Sequence, residues 1–217
     1  MKGFVMLPFL IVAAVLAVPA LAVTSNVASI EPAAGEAIEI SLVSQADAQG
    51  FVQKMVDSGI EVLTHKDLGF EQKKAKFASI LDRSFDLQTI GKFTLGKYWN
   101  TASAAEREEY SRLFRKMILN VYTARFSEYN GEKIEVSTAR DLNEKDKIVT
   151  SYIIPASGGE KVQVDWRVRN KGGSYKVVDV VVAGVSMGVT QRSDFASVIQ
   201  SGGGNVKALL DYLRQKS

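Results

Sequence analysis

The sequence predicts an α+β domain in which N-terminal helices, one long amphipathic helix and two C-terminal helices pack on an antiparallel sheet of about four strands. Three observations carry this prediction: apolar residues recur at spacings of three and four up to Tyr129, the period falls to two between Lys133 and Ala183, and helical spacing returns after Arg192. A period near 3.6 gives a helix with one apolar face and a period of two gives a strand with one. The change of period therefore locates the sheet within the chain.

Ahead of this domain stands an export signal. Lys2 is basic, Phe4 to Val18 form a short apolar run, and Ala20-Leu21-Ala22 places small residues around a cleavage point. Pro19 interrupts the run before it reaches the roughly 18 apolar residues of a membrane span. Residues 1–22 read as a secretory signal peptide, 23–45 as a flexible leader rich in Ala, Ser, Glu and Pro, and 46–217 as a single domain. With no cysteine, the exported chain must be held by its core and its hydrogen bonds. The 27 bases are interspersed with 24 acids for a net charge of +3, without the basic stripe that nucleic acid selects, so no nucleic-acid partner is expected.

The first helix is expected from Ala46 to Thr64, where Val52, Met55, Val56, Ile60 and Leu63 share a face, and Phe70, Phe77, Ile80 and Leu81 mark a second. A third, shorter helix runs from Ser84 towards Gly91. It is followed by the aromatic and glycine cluster Phe93 to Trp99. The strongest signal begins at Ser103, whose hydroxyl can cap a helix while Glu106 reaches back to the cap. From Tyr110 through Leu113, Phe114, Met117, Ile118, Val121, Tyr122 and Phe126 to Tyr129 one face stays apolar, until Asn130-Gly131 stops it. About 26 residues make a rod of roughly 39 Å. Strands follow at Lys133–Arg140, Lys147–Ile154, Glu160–Arg169 and Ser174–Ala183, joined by short polar or glycine-bearing turns that favour a meander. In the third strand Val162, Val164, Trp166 and Val168 alternate with polar residues. The fourth is apolar on both faces except at Asp179, which calls for cover from the C-terminal helices containing Phe195, Val198 and Ile199, then Val206, Leu209, Leu210 and Leu213.

Gly184-Val185-Ser186-Met187-Gly188 has the form of a nucleophile elbow between a strand and a helix. The single histidine, His65, lies upstream of Ser186, whereas that fold supplies its base downstream. The two glycines then read as a sharp turn and Ser186 as a local cap, and no catalytic residue is assigned. One histidine and no cysteine assemble no metal site and no cofactor is expected, while Ser201 to Asn205 reads as an inter-helix turn. Periodicity alone leaves open whether helices and sheet close on each other or leave a hollow.

Four stretches together resemble the MlaC-like (toluene-tolerance) family of periplasmic phospholipid carriers that maintain outer-membrane lipid asymmetry in bacteria. They are Phe85 to Ile90 leading to Leu95-Gly96-Lys97-Tyr98-Trp99, the helix end Tyr122 to Gly131, Val164 to Arg169, and Tyr175 through Ser186 to Phe195. Ala183 stands where the family often has an acidic residue and Tyr175 where it often has Trp. The resemblance implies a nuclear-transport-factor-like cone with acyl tails inside, a periplasmic location, and no enzymatic activity. Its implied partners are an inner-membrane ABC transporter complex with a lipid-binding subunit, and an outer-membrane lipoprotein with a porin. A hopanoid-associated branch of the same family is the alternative cargo reading. The expected lipid-lining residues are Phe85, Ile90, Tyr98, Trp99, Val164, Trp166, Val168, Val178, Val180, Val182 and Met187, chosen by apolar side and family position.

Overall fold

The computed structural model describes residues 35–216, with side chains described from Asp47 onwards. The expected signal peptide and residues 23–34 of the expected leader lie outside the described residues. The elements are α1 (Gly35–Thr64), α2 (Phe70–Ser84), α3 (Leu87–Leu95), α4 (Tyr98–Thr101), α5 (Ala104–Thr123), a 3-10 turn (Phe126–Glu128), β1 (Lys133–Asp141), β2 (Asp146–Ile154), β3 (Val162–Lys171), β4 (Ser174–Val182), β5 (Val185–Ser186), α6 (Met187–Ser201) and α7 (Val206–Lys216). Among the described residues no helix is long and apolar enough to cross a membrane.

Helix α1 starts at Gly35 rather than Ala46, so the last part of the segment expected to be a flexible leader is helical. Ala37, Glu39, Leu42, Gln45 and Ala46 are strong helix formers, and a helix already nucleated downstream extends through them one hydrogen bond at a time. Helix α3 runs past Gly91 to Leu95. Gly91 acts there as a contact point, because a Cβ would meet Phe114 and Tyr110 side-chain atoms at 3.4 and 3.5 Å. Asp86 caps this helix, accepting from the Thr89 N–H at 3.0 Å.

The capping box of α5 forms as expected: the Ser103 hydroxyl accepts from the Glu106 N–H at 3.2 Å, and Glu106 accepts from the Ser103 N–H at 2.8 Å. The helix has 20 residues, about 30 Å by its rise per residue, and does not reach Tyr129. At its end the Thr123 hydroxyl donates back to the Leu119 carbonyl at 2.7 Å, a bond that bends helices. The Arg125 N–H then turns to the Tyr122 carbonyl at 3.2 Å. This tightened turn carries Phe126 onto Phe77 and Phe70, with ring centroids 5.5 and 6.4 Å apart.

The sheet is an antiparallel meander in the order β1-β2-β3-β4-β5, the fifth strand being a two-residue addition to the expected four. Val149, Trp166 and Val180 align across it, as do Ser151, Val164 and Val182. Register slips at Ser137 in β1 and at Val178 in β4, each an extra residue opposite a regular partner. Such bulges bend and twist a strand. The second one explains why β4 reads as apolar on both faces. Val177 and Val180 are both buried because Val178 is the extra residue between them, so the burial rhythm is broken. The cover expected over β4 comes from α6, α2 and α3, while α7 packs on α5 and α6.

On β2 and β3 the buried Asp146 accepts from Arg167 at 2.6 and 2.9 Å and from Arg169 at 2.6 and 2.9 Å. Hydrogen bonds from Arg169, and then from Arg167, outweigh burial and hold its carboxyl down at about 2. The described residues form two apolar clusters. One joins α1 and Ile80 of α2 to the inner face of the sheet through Val52, Val149, Val164, Trp166, Val168 and Val177. The other is made by helices alone, with Leu95, Tyr110, Phe114, Phe195, Ile199, Leu209 and Leu213.

Candidate functional site

Between the two clusters lies a cavity of about 330 Å³, within the range of roughly 300–1,000 Å³ found for small-molecule sites. Helix α1 lines it from Met55 to Leu63, α2 with Phe77, Ile80 and Leu81, and α5 from Phe114 to Tyr122. At 1.5 Å per residue, the α1 and α5 walls each run about 12 Å. The sheet contributes Ile134, Ile153, Trp166 and Val180, and the start of α6 contributes Met187, Gly188 and Gln191. The wall is almost wholly hydrocarbon and aromatic. Its polar members gather at two places: Arg125, Tyr129 and Glu132 beyond the end of α5, and Thr94, Asp179 and Gln191 against the helical cluster.

Local hydrogen bonds hold members of both groups. The Arg125 guanidinium pairs with Glu128 at 2.9 Å, and the Tyr129 hydroxyl donates to the Glu132 carbonyl at 3.2 Å. Burial, and then the Glu132 charge, push the Tyr129 hydroxyl above its ordinary pKa, and burial alone pushes Tyr122 up to about 12. On the opposite side Asp179 accepts from the Val180 and Gly188 N–H groups at 2.9 and 3.0 Å and from the Ser186 hydroxyl at 2.6 Å. Ser186 in turn accepts from the Val189 N–H at 3.1 Å and is the N-cap of α6.

The nucleophile-elbow pattern thus resolves into a helix cap. The Ser186 proton is directed at a carboxylate, with no imidazole beside it, and His65 is exposed in the turn after α1. Gly184, at φ 82°, and Ala183, at φ 48°, form the tight link between β4 and β5. Positive φ at both central residues is the signature of the hairpin turn that matches strand twist, and Ala183 holds it despite its Cβ. Gly188 is required for space and not for turning: a Cβ there would meet the Asp179 Oδ1 at 3.0 Å and Phe93 at 3.2 Å. Among the described residues no group of three or more His, Cys, Asp or Glu side chains is gathered to hold a metal.

Of the residues expected to line a lipid site, Phe85, Ile90, Trp166, Val180 and Met187 border the cavity. Tyr98 and Trp99 lie elsewhere, within or against the all-helical cluster, where the Arg107 guanidinium stacks on Trp99 at 5.5 Å. Val164 and Val168 are on the inner face with Trp166 but belong to the buried core that joins the sheet to α1, with Val182 packed against it. Val178 is the bulge residue and is half-buried. Sequence reasoning placed Met55, Ile60, Phe77, Met117, Ile118 and Tyr122 on apolar helix faces without assigning them to the site. The signal was present in those stripes. What periodicity lacks is any record of whether a face meets another face or empty space.

The family model described as MlaC protein matches residues 53–215. The intermembrane phospholipid transport system binding protein MlaC of Haemophilus influenzae is 33% identical over 105 residues, which are 47% of this chain and 49% of that protein. The toluene tolerance protein Ttg2D of Pseudomonas putida is 24% identical over 115 residues, 53% of each chain. The alignments thus span about half the length of these curated relatives. A phospholipid-binding protein from Ralstonia solanacearum, solved in complex with a phospholipid, superposes with a TM-score of 0.67 at 22% identity, over 78% of this chain and 96% of that one. The meander, its covering helices and the family match over most of the chain agree: this protein belongs to the MlaC family.

Proposed function

We propose that this protein is a periplasmic carrier that holds a phospholipid by its acyl chains between inner and outer membrane, without covalent chemistry. The observation that carries the reading is the apolar hollow between the sheet layer and the helical layer, walled by Met55, Ile60, Phe77, Ile118, Trp166 and Val180. Two acyl chains carry about 30 methylenes, and at about 0.8 kcal/mol each their exposure to water costs on the order of 24 kcal/mol. A soluble carrier must therefore enclose hydrocarbon, and an apolar wall of this composition supports that reading. The relatives' names, one a phospholipid transport binding protein, and a fold shared with a protein solved around a phospholipid support the same reading.

The same arithmetic makes spontaneous release into water slow, so cargo passes at docking sites on membrane complexes. We assign these to an inner-membrane ABC transporter complex with its lipid-binding subunit, and to an outer-membrane lipoprotein associated with a porin. The test is native mass spectrometry of protein purified from the periplasm. A mass increment matching a phospholipid is expected. Protein that emerges without lipid, and takes none up from phosphatidylethanolamine vesicles, overturns the proposal.

A further inference from the structure

Gln191 is buried, 7% exposed, on the cavity wall, and its amide nitrogen has no hydrogen-bond partner. Its neighbours on that wall are engaged elsewhere. The Thr94 hydroxyl is shared with the Tyr110 hydroxyl at 2.8 Å and reaches the Ile90 carbonyl at 3.0 Å. The Asp179 carboxylate serves the Ser186 hydroxyl and the Gly188 and Val180 N–H groups. Helix geometry puts Gln191 there deliberately: Met187, Gly188 and Gln191 form the cavity-facing turns of α6, and one turn further Phe195 enters the closed helical cluster. A hydrocarbon side chain at 191 would satisfy an apolar wall without leaving an amide unpaired, and buried polar groups left unpaired in native structures call for a partner. A side-chain amide carries both donors and an acceptor, and rotation about its last bond offers either one to the cavity.

We propose that Gln191 determines cargo specificity by hydrogen-bonding an oxygen that the lipid carries into the apolar cavity, either an ester carbonyl or a hydroxyl on an acyl chain. This rests on the carrier reading and adds a chemical requirement to it: the cavity selects lipids with a hydrogen-bonding oxygen beyond the head group. A hydrogen bond made in an apolar wall discriminates strongly, because a lipid lacking the oxygen leaves the amide buried and unsatisfied.

The experiment measures displacement of a pyrene-labelled phosphatidylcholine from the mature wild-type protein and from Gln191→Met, a change that keeps the side chain's length and removes its amide. The competitors are a diester phosphatidylcholine, its diether analogue, and the diether analogue with one hydroxylated chain. Wild-type protein is expected to bind the diester or the hydroxylated diether about tenfold more tightly than the plain diether, and whichever gains identifies the oxygen's source. Gln191→Met is expected to bind all three alike, and its lipid-free form to melt at a higher temperature because an unpaired amide has been removed. Equal binding of all three by the wild type, a preference that survives in Gln191→Met, or a lower melting temperature would each overturn the assignment. If the wild type binds none of the three, the carrier reading fails and this inference with it, an outcome distinct from equal binding.

Discussion

The two apolar layers of this protein are built from similar amounts of hydrocarbon, yet one is closed and the other faces a hollow. In the helical layer Tyr110, Phe114 and Phe195 meet in stacked and edge-to-face pairs 5.6–6.1 Å apart, and Ile199, Leu209 and Leu213 are fully buried around them. On the other side the sheet presents mostly valines, and α1 covers it chiefly along β1 and β2, with Phe51 reaching Tyr175 of β4. Large flat rings can interlock across two helices, whereas a bent sheet diverges from the helices over it, so their side chains cannot meet everywhere. Helix α5 belongs to both layers: Tyr110 and Leu113 face the closed one, Tyr122 the open one, and Phe114, Met117, Ile118 and Val121 the boundary. Closure secures the fold and divergence leaves the cavity.

The sharpest way to break this contrast is to remove one large side chain from each layer. Phe195→Ala, in the closed layer, is expected to cost about 3–5 kcal/mol, because rigid neighbours cannot collapse into the gap. Ile60→Ala, on the α1 wall of the cavity, should cost less than about 2 kcal/mol, since its cavity side has no packing to lose. Urea denaturation of both variants reads the difference. Equal losses would mean the hollow is not a separate mechanical region.

A charge tests the open layer by function. Val180→Asp places a carboxylate on the cavity wall next to the existing Asp179, and lipid affinity is expected to fall about a hundredfold, some 2.7 kcal/mol. Helix content by circular dichroism should change far less. Full occupancy in native mass spectra of the variant would remove Val180 from the site.

Acid should weaken the sheet layer through Asp146. The Asp146 carboxyl sits at about 2, below its ordinary value of 3.8, so its pairing with Arg167 and Arg169 stabilises the folded state above pH 4, by at most about 2 kcal/mol. That contribution is lost as pH falls from about 4 towards 2, because a protonated Asp146 no longer pairs with the two guanidinium groups. In Asp146→Asn the fall in stability over this interval should be shallower than in the wild type, as read by denaturant midpoints at stepped pH.

These contrasts also show what the chain's pattern can convey. Strand positions were legible because the period of two survives every turn, and the start of α5 was legible because Ser103 and Glu106 are a local device. The end of α5 was not: the turn at Thr123 depends on Phe126 finding Phe77 and Phe70 on another helix, a tertiary contact that overrides a continuing apolar stripe. The bulge at Val178 left no mark, since an additional valine among valines alters no composition. Trp166 and Val180 border the cavity, whereas Val164 and Val168 share their parity and lie in the buried core. Tyr98 and Trp99, selected by family position, turned out to hold the helical layer. Periodicity reports which way a residue faces, and only the distance to the opposing element decides between core and cavity.

The smallest expected effect concerns the helix that the layers share. Ser103 caps α5 by accepting from the Glu106 N–H and donating to the Glu106 carboxylate, and is exposed, so Ser103→Ala removes two hydrogen bonds without touching either apolar cluster, at a cost of about 1 kcal/mol. The cap lies at the end of α5 whose following turns, through Tyr110 and Leu113, belong to the closed layer, while the cavity-facing turns lie near Tyr122. Fraying should thus lower the melting temperature of the variant by a few degrees and leave lipid affinity unchanged. A parallel loss of lipid binding would show that the closed layer sets the width of the cavity through α5, and that the two regions are mechanically one.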